Sequence, residues 1–434
     1  MHLLGDLQSR GLLHQSTAEN LDDKLAALAK THSIAAYAGF DPTADSLHVG
    51  NFIPICGLIH AQRNGIRPIA VVGGATGLIG DPGGKRTERQ LLTKEQVQHN
   101  TEGIRRVLER FLDFEHPTAG ALIVNNLAWF SPMLAIDFLR DLGKHFRVGP
   151  MLAKESVRAR MADSDEGLSY TEFSYQLLQA YDFHQLYKQH RCVLQLGGSE
   201  QWGNITAGIE TIRKLHGDEA EVFGVTLPLI TTSSGEKFGK SEGNAVWLSD
   251  DRTSCYDFYQ FWLRTEDRDA GRYLRLFTFV PLDEIASLER DQTTRAPQQR
   301  LALEMTRLVH GDDALEQAIS AAQIMYGGAI TASIDNKTLA AVFDHVPTIE
   351  VAQEKLADGW SSIEAAVASG LCKSKGEARR LITQGGFYVN NQPRKNPDQP
   401  LTRGDLINHT TIVLRSGKKN YRLVHALSDR DPQP

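Results

Sequence analysis

The stretch IAAYAGFDPTADSLHVGNFIPICGLIHAQRNGIRPIAVVGGA, residues 34–75, carries the reading of the fold. Residues 34–40 form an apolar run closed by turn formers, which reads as a buried strand. Residues 49–64 carry a helical pattern, and 68–75 form a second apolar run rich in β-branched side chains. Strand, helix and strand in this order make a βαβ unit. Strand-like runs recur at 121–125 and 192–197 with long helical patterns between them, so the expected fold class is α/β, a Rossmann-like parallel sheet flanked by helices.

The first βα turn of that unit places His48 and Gly50 at the N-terminus of the following helix. Free N–H groups and a partial positive charge gather there, and the carboxyl edge of a parallel sheet is where nucleotides usually bind. Gly50 would let a flat base approach the backbone. His48 has two readings, a hydrogen-bond donor to phosphate or a helix-capping side chain.

A second polar stretch, KFGKSEGN at 237–244, holds two lysines, two glycines and a serine. A solvated turn has the same composition. Its position, after the apolar run 225–230 and the polar turn 231–236, favours a working role. Ammonium groups three residues apart on a pliable backbone can close over a polyphosphate and follow its charge during reaction. It is not a Walker loop, because Ser234 stands where that pattern needs glycine.

The chain has 434 residues, 41% of them hydrophobic, enough for two or three domains with cores of their own. A net charge of -6 argues against a protein coated in nucleic acid and leaves room for a local basic patch. Four dispersed cysteines, Cys56, Cys192, Cys255 and Cys372, show no CxxC spacing, so no metal site or disulfide framework is expected and a reducing cytoplasm fits. No segment reaches the roughly 18 to 20 apolar residues of a membrane span, and the N-terminus has no targeting pattern.

Residues 255–324 read as helical throughout, a second, all-helical domain. The expected organisation is 1–230 for the Rossmann-like catalytic domain, 231–326 for the lysine loop and the helical domain, 327–359 for a linker, and 360–434 for a small α+β domain. In that last unit SKGEARRLITQ, 374–384, makes a helix with Lys375 and Arg379 one turn apart and Arg380 alongside, ended by two glycines. A strand-like Leu406-Ile407 follows further on. A basic helix face beside a small β element suits RNA; a solvated face would look similar.

Taken together, PTADSLHVGN and the much later KFGKS resemble the two signatures of class I aminoacyl-tRNA synthetases, usually written HIGH and KMSKS. The likeness extends over nearly the whole chain through YAGFDPTADSLHVGN, GDPGGKRTER, TEFSYQLLQAYDF and LQLGGSEQWGNI, and it is to the bacterial-type tyrosyl-tRNA synthetases. The last unit is similar to the S-four-type RNA-binding module. This family joins L-tyrosine to tRNA(Tyr) through a tyrosyl-adenylate made from ATP, with Mg2+ accompanying the nucleotide, and is typically a cytoplasmic homodimer.

The substrate face can also be read from spacing. Tyr175, Gln179 and Asp182 fall at i, i+4 and i+7 on one helix face, while Phe173, Leu177 and Tyr181 turn elsewhere to pack. Tyr37, Asp81 and Gln201 are expected at the same sheet edge. The resemblance implies that Asp81, Tyr175 and Gln179 hold the substrate ammonium and that Tyr37 with Asp182 reads the phenolic hydroxyl. It implies Thr43 and His48 on the γ-phosphate side, and Lys85, Arg89, Lys237 and Lys240 around the departing pyrophosphate. Further ATP contacts are implied at Gly39, Asp41, Gly50, Asn51, Glu200 and Ser241, and RNA contacts at Lys375, Arg379 and Arg380.

Two positions depart from the family pattern. Asn51 replaces the second histidine of HIGH, and Glu200 replaces the aspartate of the usual GGSDQ, one methylene longer. Changed ATP binding is the expected consequence. A tryptophanyl-tRNA synthetase is the neighbouring alternative, and Tyr37 with Asp182 argues against it because an indole offers no hydroxyl. An inactive RNA-binding regulator is disfavoured because His48 and the lysine loop are both present.

Overall fold

The computed structural model describes residues 1–82, 91–154, 157, 158, 161, 167–233, 238–241, 244–290, 294–325, 327, 328, 330, 334–417 and 420–427; of 240, 241 and 244 it describes the backbone alone. The chain divides into two compact units, Met1–Thr253 with Phe261–Val309, and Ser254–Gln260 with His310–Pro434.

The first unit is built on a six-stranded sheet. Its strands are β1 (Gln15–Ser16), β2 (Ala35–Phe40), β3 (Arg67–Val72), β4 (Leu122–Asn125), β5 (Cys192–Gly198) and β6 (Phe223–Leu227), in the order β1-β6-β5-β2-β3-β4. All neighbours run parallel except β1, which lies antiparallel to β6 at the edge. The expected βαβ unit is β2, the helix Phe52–Arg63 and β3, with Phe40 level with Val72. Strand and helix alike are buried over most of their length, as a central parallel strand with covered faces requires. Order reverses between β2 and β5, so the loops leaving their carboxyl ends open onto one crevice.

The helix Tyr170–His190 starts on a Ser169 cap, whose hydroxyl accepts the Glu172 N–H, and packs on the helix Trp202–His216 and on β5. Its Phe173, Leu177 and Tyr181 pack with Leu142 and Met151, the apolar side anticipated from their spacing.

Between 255 and 325 the regular elements of the described residues are all helices: Cys255–Leu263, Asp267–Phe277, Leu282–Arg290, Ala296–His310 and Asp312–Met325. They do not form one separate body, which corrects the expected grouping. Phe238 stacks on Phe277 with ring centroids 5.1 Å apart, and Phe277 lies 6.3 Å from Phe52 on the first βαβ helix. That aromatic packing joins Phe261–Val309 to the sheet unit.

In the first unit β7 (Lys240–Ser241) and β8 (Asn244–Ala245) also pair with each other. The second unit holds the short pair β10 (Trp360–Ser361) and β13 (Pro400–Leu401), and a five-stranded sheet of β9 (Thr348–Ala352), β11 (Phe387–Val389), β12 (Gln392–Pro393), β14 (Thr411–Ser416) and β15 (Asn420–Leu427), in the order β12-β11-β14-β15-β9. The helix Lys375–Thr383, capped by the Ser374 hydroxyl, buries Ala378 and Ile382 in the core beneath it. Two expectations change here. The stretch 327–359 is not simply a linker, since β9 pairs parallel with β15 and Ile349 and Val351 pack on the domain core. Leu406-Ile407 is not a strand but part of a turn, bridged at Ile407 to Thr411, and the strands are β14 and β15. With Glu350 between its two inward apolar residues, β9 carries a pattern too short to stand out.

Candidate active site

The loops at the carboxyl ends of β2, β3, β4 and β5 bring Asp41, Asp81, Asn126 and Gln201 to one end of the sheet. Gly39 is exposed in a strand otherwise buried, and a Cβ placed on it would meet nothing within 4 Å. It forms an open floor beside the switch point.

Beneath that floor runs a chain of hydrogen bonds. Tyr175 donates its hydroxyl to Asp41 Oδ2 at 2.8 Å, and Thr76 Oγ1 donates to Asp41 Oδ1 at 2.7 Å. The Asn126 amide donates to Thr76 Oγ1 and to Asp182 Oδ2, each at 3.0 Å, and is held in turn by the Ala75 N–H on its own oxygen at 2.7 Å. Trp129 Nε1 donates to Asp182 Oδ1 at 2.8 Å. Asp182 is only 4% exposed, and burial pushes its carboxyl up to about 8 although the Asn126 and Trp129 bonds pull it down. Tyr37 is 1% exposed, its ring lies 5.3 Å from Phe183, and its hydroxyl has no hydrogen-bond partner among the described residues. Burial, with the neighbouring Asp182 charge adding to it, holds the Tyr37 phenol well above its ordinary range, so it stays a donor. Tyr175 is raised likewise by burial and then by Asp41 and Asp81.

A second network carries the rest. Gln201 donates to Asp81 Oδ2 at 2.7 Å, Gln179 donates to Gln201 Oε1 at 3.2 Å, and Asn204 donates to both Gln179 Oε1 and Gln201 Oε1 at 3.0 and 3.1 Å. The helix Tyr170–His190 thus offers Tyr175, Gln179 and Asp182 to two connected polar clusters, as their shared face required.

His48 has a capping role as well as a place in the crevice. Its Nδ1 accepts the Gly50 N–H at 3.0 Å, while Asn51 Oδ1 accepts the His48 N–H at 3.1 Å. A neutral imidazole bonded in this way carries its hydrogen on Nε2. A Cβ on Gly50 would lie 2.8 Å from His48 Cε1, so this glycine makes room for the imidazole. The lysine-loop segment is stitched to the same place: Val49 N–H donates to the Val246 carbonyl at 2.9 Å, Leu248 N–H to the Leu47 carbonyl at 2.8 Å, and Val246 N–H to the Gly239 carbonyl at 3.0 Å. Phe238, 5% exposed, anchors the loop among Tyr273, Phe277, Trp262 and Phe261.

Lys85, Arg89 and Lys237 lie outside the described residues, as do the side chains of Lys240 and Ser241. Thr43 is exposed at the crevice rim, its N–H bonded to the Asp41 carbonyl. Glu200 folds back over Gly198, where a Cβ would fall 2.3 Å from Glu200 Oε2. Sequence reasoning missed Thr76, Asn126, Trp129 and Asn204. The signal available for Asn126 was its place just past the carboxyl end of a parallel strand. Asp41 was expected on ATP, and its carboxylate is bonded to Tyr175 and Thr76.

Residues 29–327 match the family described as tRNA synthetases class I (W and Y), and residues 338–424 match the tyrosine–tRNA ligase SYY-like C-terminal domain. The tyrosine–tRNA ligase of Roseiflexus castenholzii is 49% identical over 427 residues, covering 97% of this chain and 99% of that protein. This chain belongs to the tyrosyl-tRNA synthetases of class I. The tyrosine–tRNA ligase of Flavobacterium johnsoniae is 45% identical, covering 98% of this chain and all of that protein. Among solved structures, a C-terminally truncated mitochondrial tyrosyl-tRNA synthetase of Aspergillus nidulans superposes with a TM-score of 0.65 at 31% identity, covering 74% of this chain and 94% of that one. As a member of the tyrosyl-tRNA synthetases, the chain uses Asn51 to cap the turn that presents His48.

Proposed function

We propose that this chain attaches L-tyrosine to tRNA(Tyr) in two steps. In the first, a tyrosine carboxylate oxygen attacks the α-phosphorus of ATP, the bond to the β-phosphate breaks, and tyrosyl-adenylate and pyrophosphate result. In the second, a hydroxyl of the terminal ribose of tRNA attacks the tyrosyl carbonyl and AMP leaves. No side chain acts as nucleophile, so the protein contributes orientation and electrostatics.

The observation that carries this reading is the buried Tyr37 hydroxyl without a partner, beside the buried Asp182 carboxyl. Such a pair is costly until a hydroxyl-bearing ligand completes it. Tyrosine is that ligand: Asp182 accepts from its phenol and Tyr37 bonds the same oxygen. Asp81, Tyr175 and Gln179 take the ammonium, with Gln201 holding Asp81 and Asp41 holding Tyr175. ATP lies over Gly39 and Gly50, with Glu200 toward its ribose and Thr43, His48 and Asn51 toward its phosphates. Lys85, Arg89, Lys237, Lys240 and Ser241 receive the pyrophosphate. Mg2+ arrives with the nucleotide and supplies charge neutralisation there; no group of three or more His, Cys, Asp or Glu among the described residues is placed to hold an ion.

The C-terminal unit holds tRNA. Lys375 pairs with Glu364 at 2.9 Å and Arg379 reaches Asp398 at 3.9 Å, all well exposed, and surface pairs of this kind open cheaply to a phosphate. Arg380 lines a shallow cavity of about 270 Å³ with Leu371, Leu381 and Gln384. A homodimer is supported by the well-exposed apolar residues Leu134, Ile136, Val148 and Tyr170, side chains of the kind that subunit contacts cover. A cytoplasmic location fits the need for ATP and tRNA, and no described helix is long and apolar enough to cross a membrane. ATP–pyrophosphate exchange with tyrosine, phenylalanine and tryptophan tests the reading: tyrosine alone supports fast exchange, and equal exchange with tryptophan would overturn it.

A further inference from the structure

His48 and the lysine loop share a neighbour that the reaction as described does not use. Trp247 lies seven residues beyond Lys240 and directly opposite His48 in a single antiparallel bridge. Their rings meet nearly edge to face, with centroids 6.0 Å apart and planes at 67°. Trp247 is held in two further ways. Its backbone N–H donates to Thr253 Oγ1 at 2.9 Å, and the Arg252 guanidinium lies over its ring, 4.5 Å from the centroid. Arg252 Nε in turn donates to Asp45, in the turn that leads into His48. Asp45 also faces His99 Nε2 at 3.7 Å. The result is a closed circuit from the 41–48 turn through Asp45, Arg252 and Trp247 back to the His48 ring.

We propose that Trp247 is a positioning residue for adenylation, its indole fixing the His48 imidazole so that Nε2–H meets the nucleotide phosphates in step with the lysine loop. The argument rests on the proposed action of His48 on ATP. Two features of the geometry support it. The Gly50 N–H on Nδ1 fixes one corner of the His48 ring, and an edge-to-face neighbour limits its tilt about that corner. Trp247 also belongs to the backbone ladder joining residues 246–248 to residues 47–49, so a shift of the loop's C-terminal limb carries the indole and the imidazole together. Arg252 and Asp45 brace the indole from the surface.

The test is a double-mutant cycle read by single-turnover tyrosyl-adenylate formation, with tyrosine and ATP affinities measured separately. An edge-to-face contact is worth up to about tenfold in a rate, so Trp247→Leu is expected to slow adenylation by roughly that factor with tyrosine affinity unchanged. Trp247→Phe restores most of the rate because it keeps an aromatic edge. Arg252→Gln, at an exposed position that leaves the core intact, gives a smaller loss of the same kind. In a His48→Ala background neither Trp247→Leu nor Arg252→Gln costs anything further, because the group they position is gone. The same loss in that background would overturn the proposal, as would a Trp247→Leu enzyme as fast as the parent. A His48→Ala enzyme with full activity would overturn the role of His48 itself, and the positioning role with it.

Discussion

Asp182 sits where a carboxylate is expensive, and its neighbours decide how it is used. Trp129 and Asn126 bond one oxygen each, yet burial still raises the carboxyl to about 8. Its ordinary value is about 3.9, so between roughly pH 4 and 8 the unfolded chain has released this proton while the folded pocket retains it. Stability from this group is therefore present below the ordinary value and is lost as pH rises through about 8. Tyrosine binding runs the other way, since a phenol donates to the ionised form. Tyrosine affinity is expected to strengthen as pH rises through about 8, and Asp182→Asn should abolish that inflection. Trp129→Phe, lacking the indole donor, should move it to higher pH; equilibrium binding across this range checks all three. Asp182 was legible from the helix face it shares with Tyr175 and Gln179 and Tyr37 from its place on the first strand, while their pairing on a hydroxyl was implied by the family resemblance. Asn126 and Trp129 were not legible, because the turn at Asn126 and the four-residue helix Leu127–Phe130 are too short to show a period that betrays which side chains reach inward.

The two signature segments are each readable alone, but their union is not. HVGN announces itself as a strand-to-helix turn and KFGKS as a charged loop. What ties them is the ladder between 47–49 and 246–248, far too short to leave an alternating pattern. Gly239 is the point where the fit is tightest: its φ is +89°, and a Cβ there would lie 2.9 Å from Val49 Cγ2 and 3.2 Å from the Gly50 nitrogen. Left-handed strain alone costs about 1–2 kcal/mol for a residue with a side chain. Gly239→Ala is therefore expected to slow adenylation by about tenfold or more while leaving tyrosine affinity intact, which single-turnover kinetics will show. An unchanged rate would mean that the loop does not need this approach to the HVGN turn. The same limit on pattern length explains why β9 was read as part of a linker.

Across the chain, the proposal assigns the small molecules to the sheet unit and RNA to the C-terminal unit. Changing Lys375, Arg379 and Arg380 together to glutamine is expected to raise the KM for tRNA by about tenfold and flatten its salt dependence, with ATP–pyrophosphate exchange unaffected. Aminoacylation at several salt concentrations checks it, and normal charging would remove the reason for assigning RNA to this face. A truncation would be a poorer probe if cut near Gly359, because it would strip β15 from β9, its parallel partner. The βαβ frame, the site helix and the family likeness made the architecture readable from the sequence. The grouping of helices with the sheet was not readable, because it depends on Phe238 meeting Phe277, rings brought together only by the fold. What remains central is the proposal that Tyr37 and Asp182 read the hydroxyl of the amino acid. A site that bonds a hydroxyl rejects the analogue lacking it, because its own polar groups are left unpaired; tyrosyl-tRNA synthetases are the standard example, so the direction is the family's and the residues are the claim for this chain. The deciding measurement is kcat/KM for tyrosine and for phenylalanine in ATP–pyrophosphate exchange, on the parent, Tyr37→Phe and Asp182→Asn. Selectivity for tyrosine should fall in Tyr37→Phe and fall further in Asp182→Asn; parental selectivity in both would show that the hydroxyl is read elsewhere.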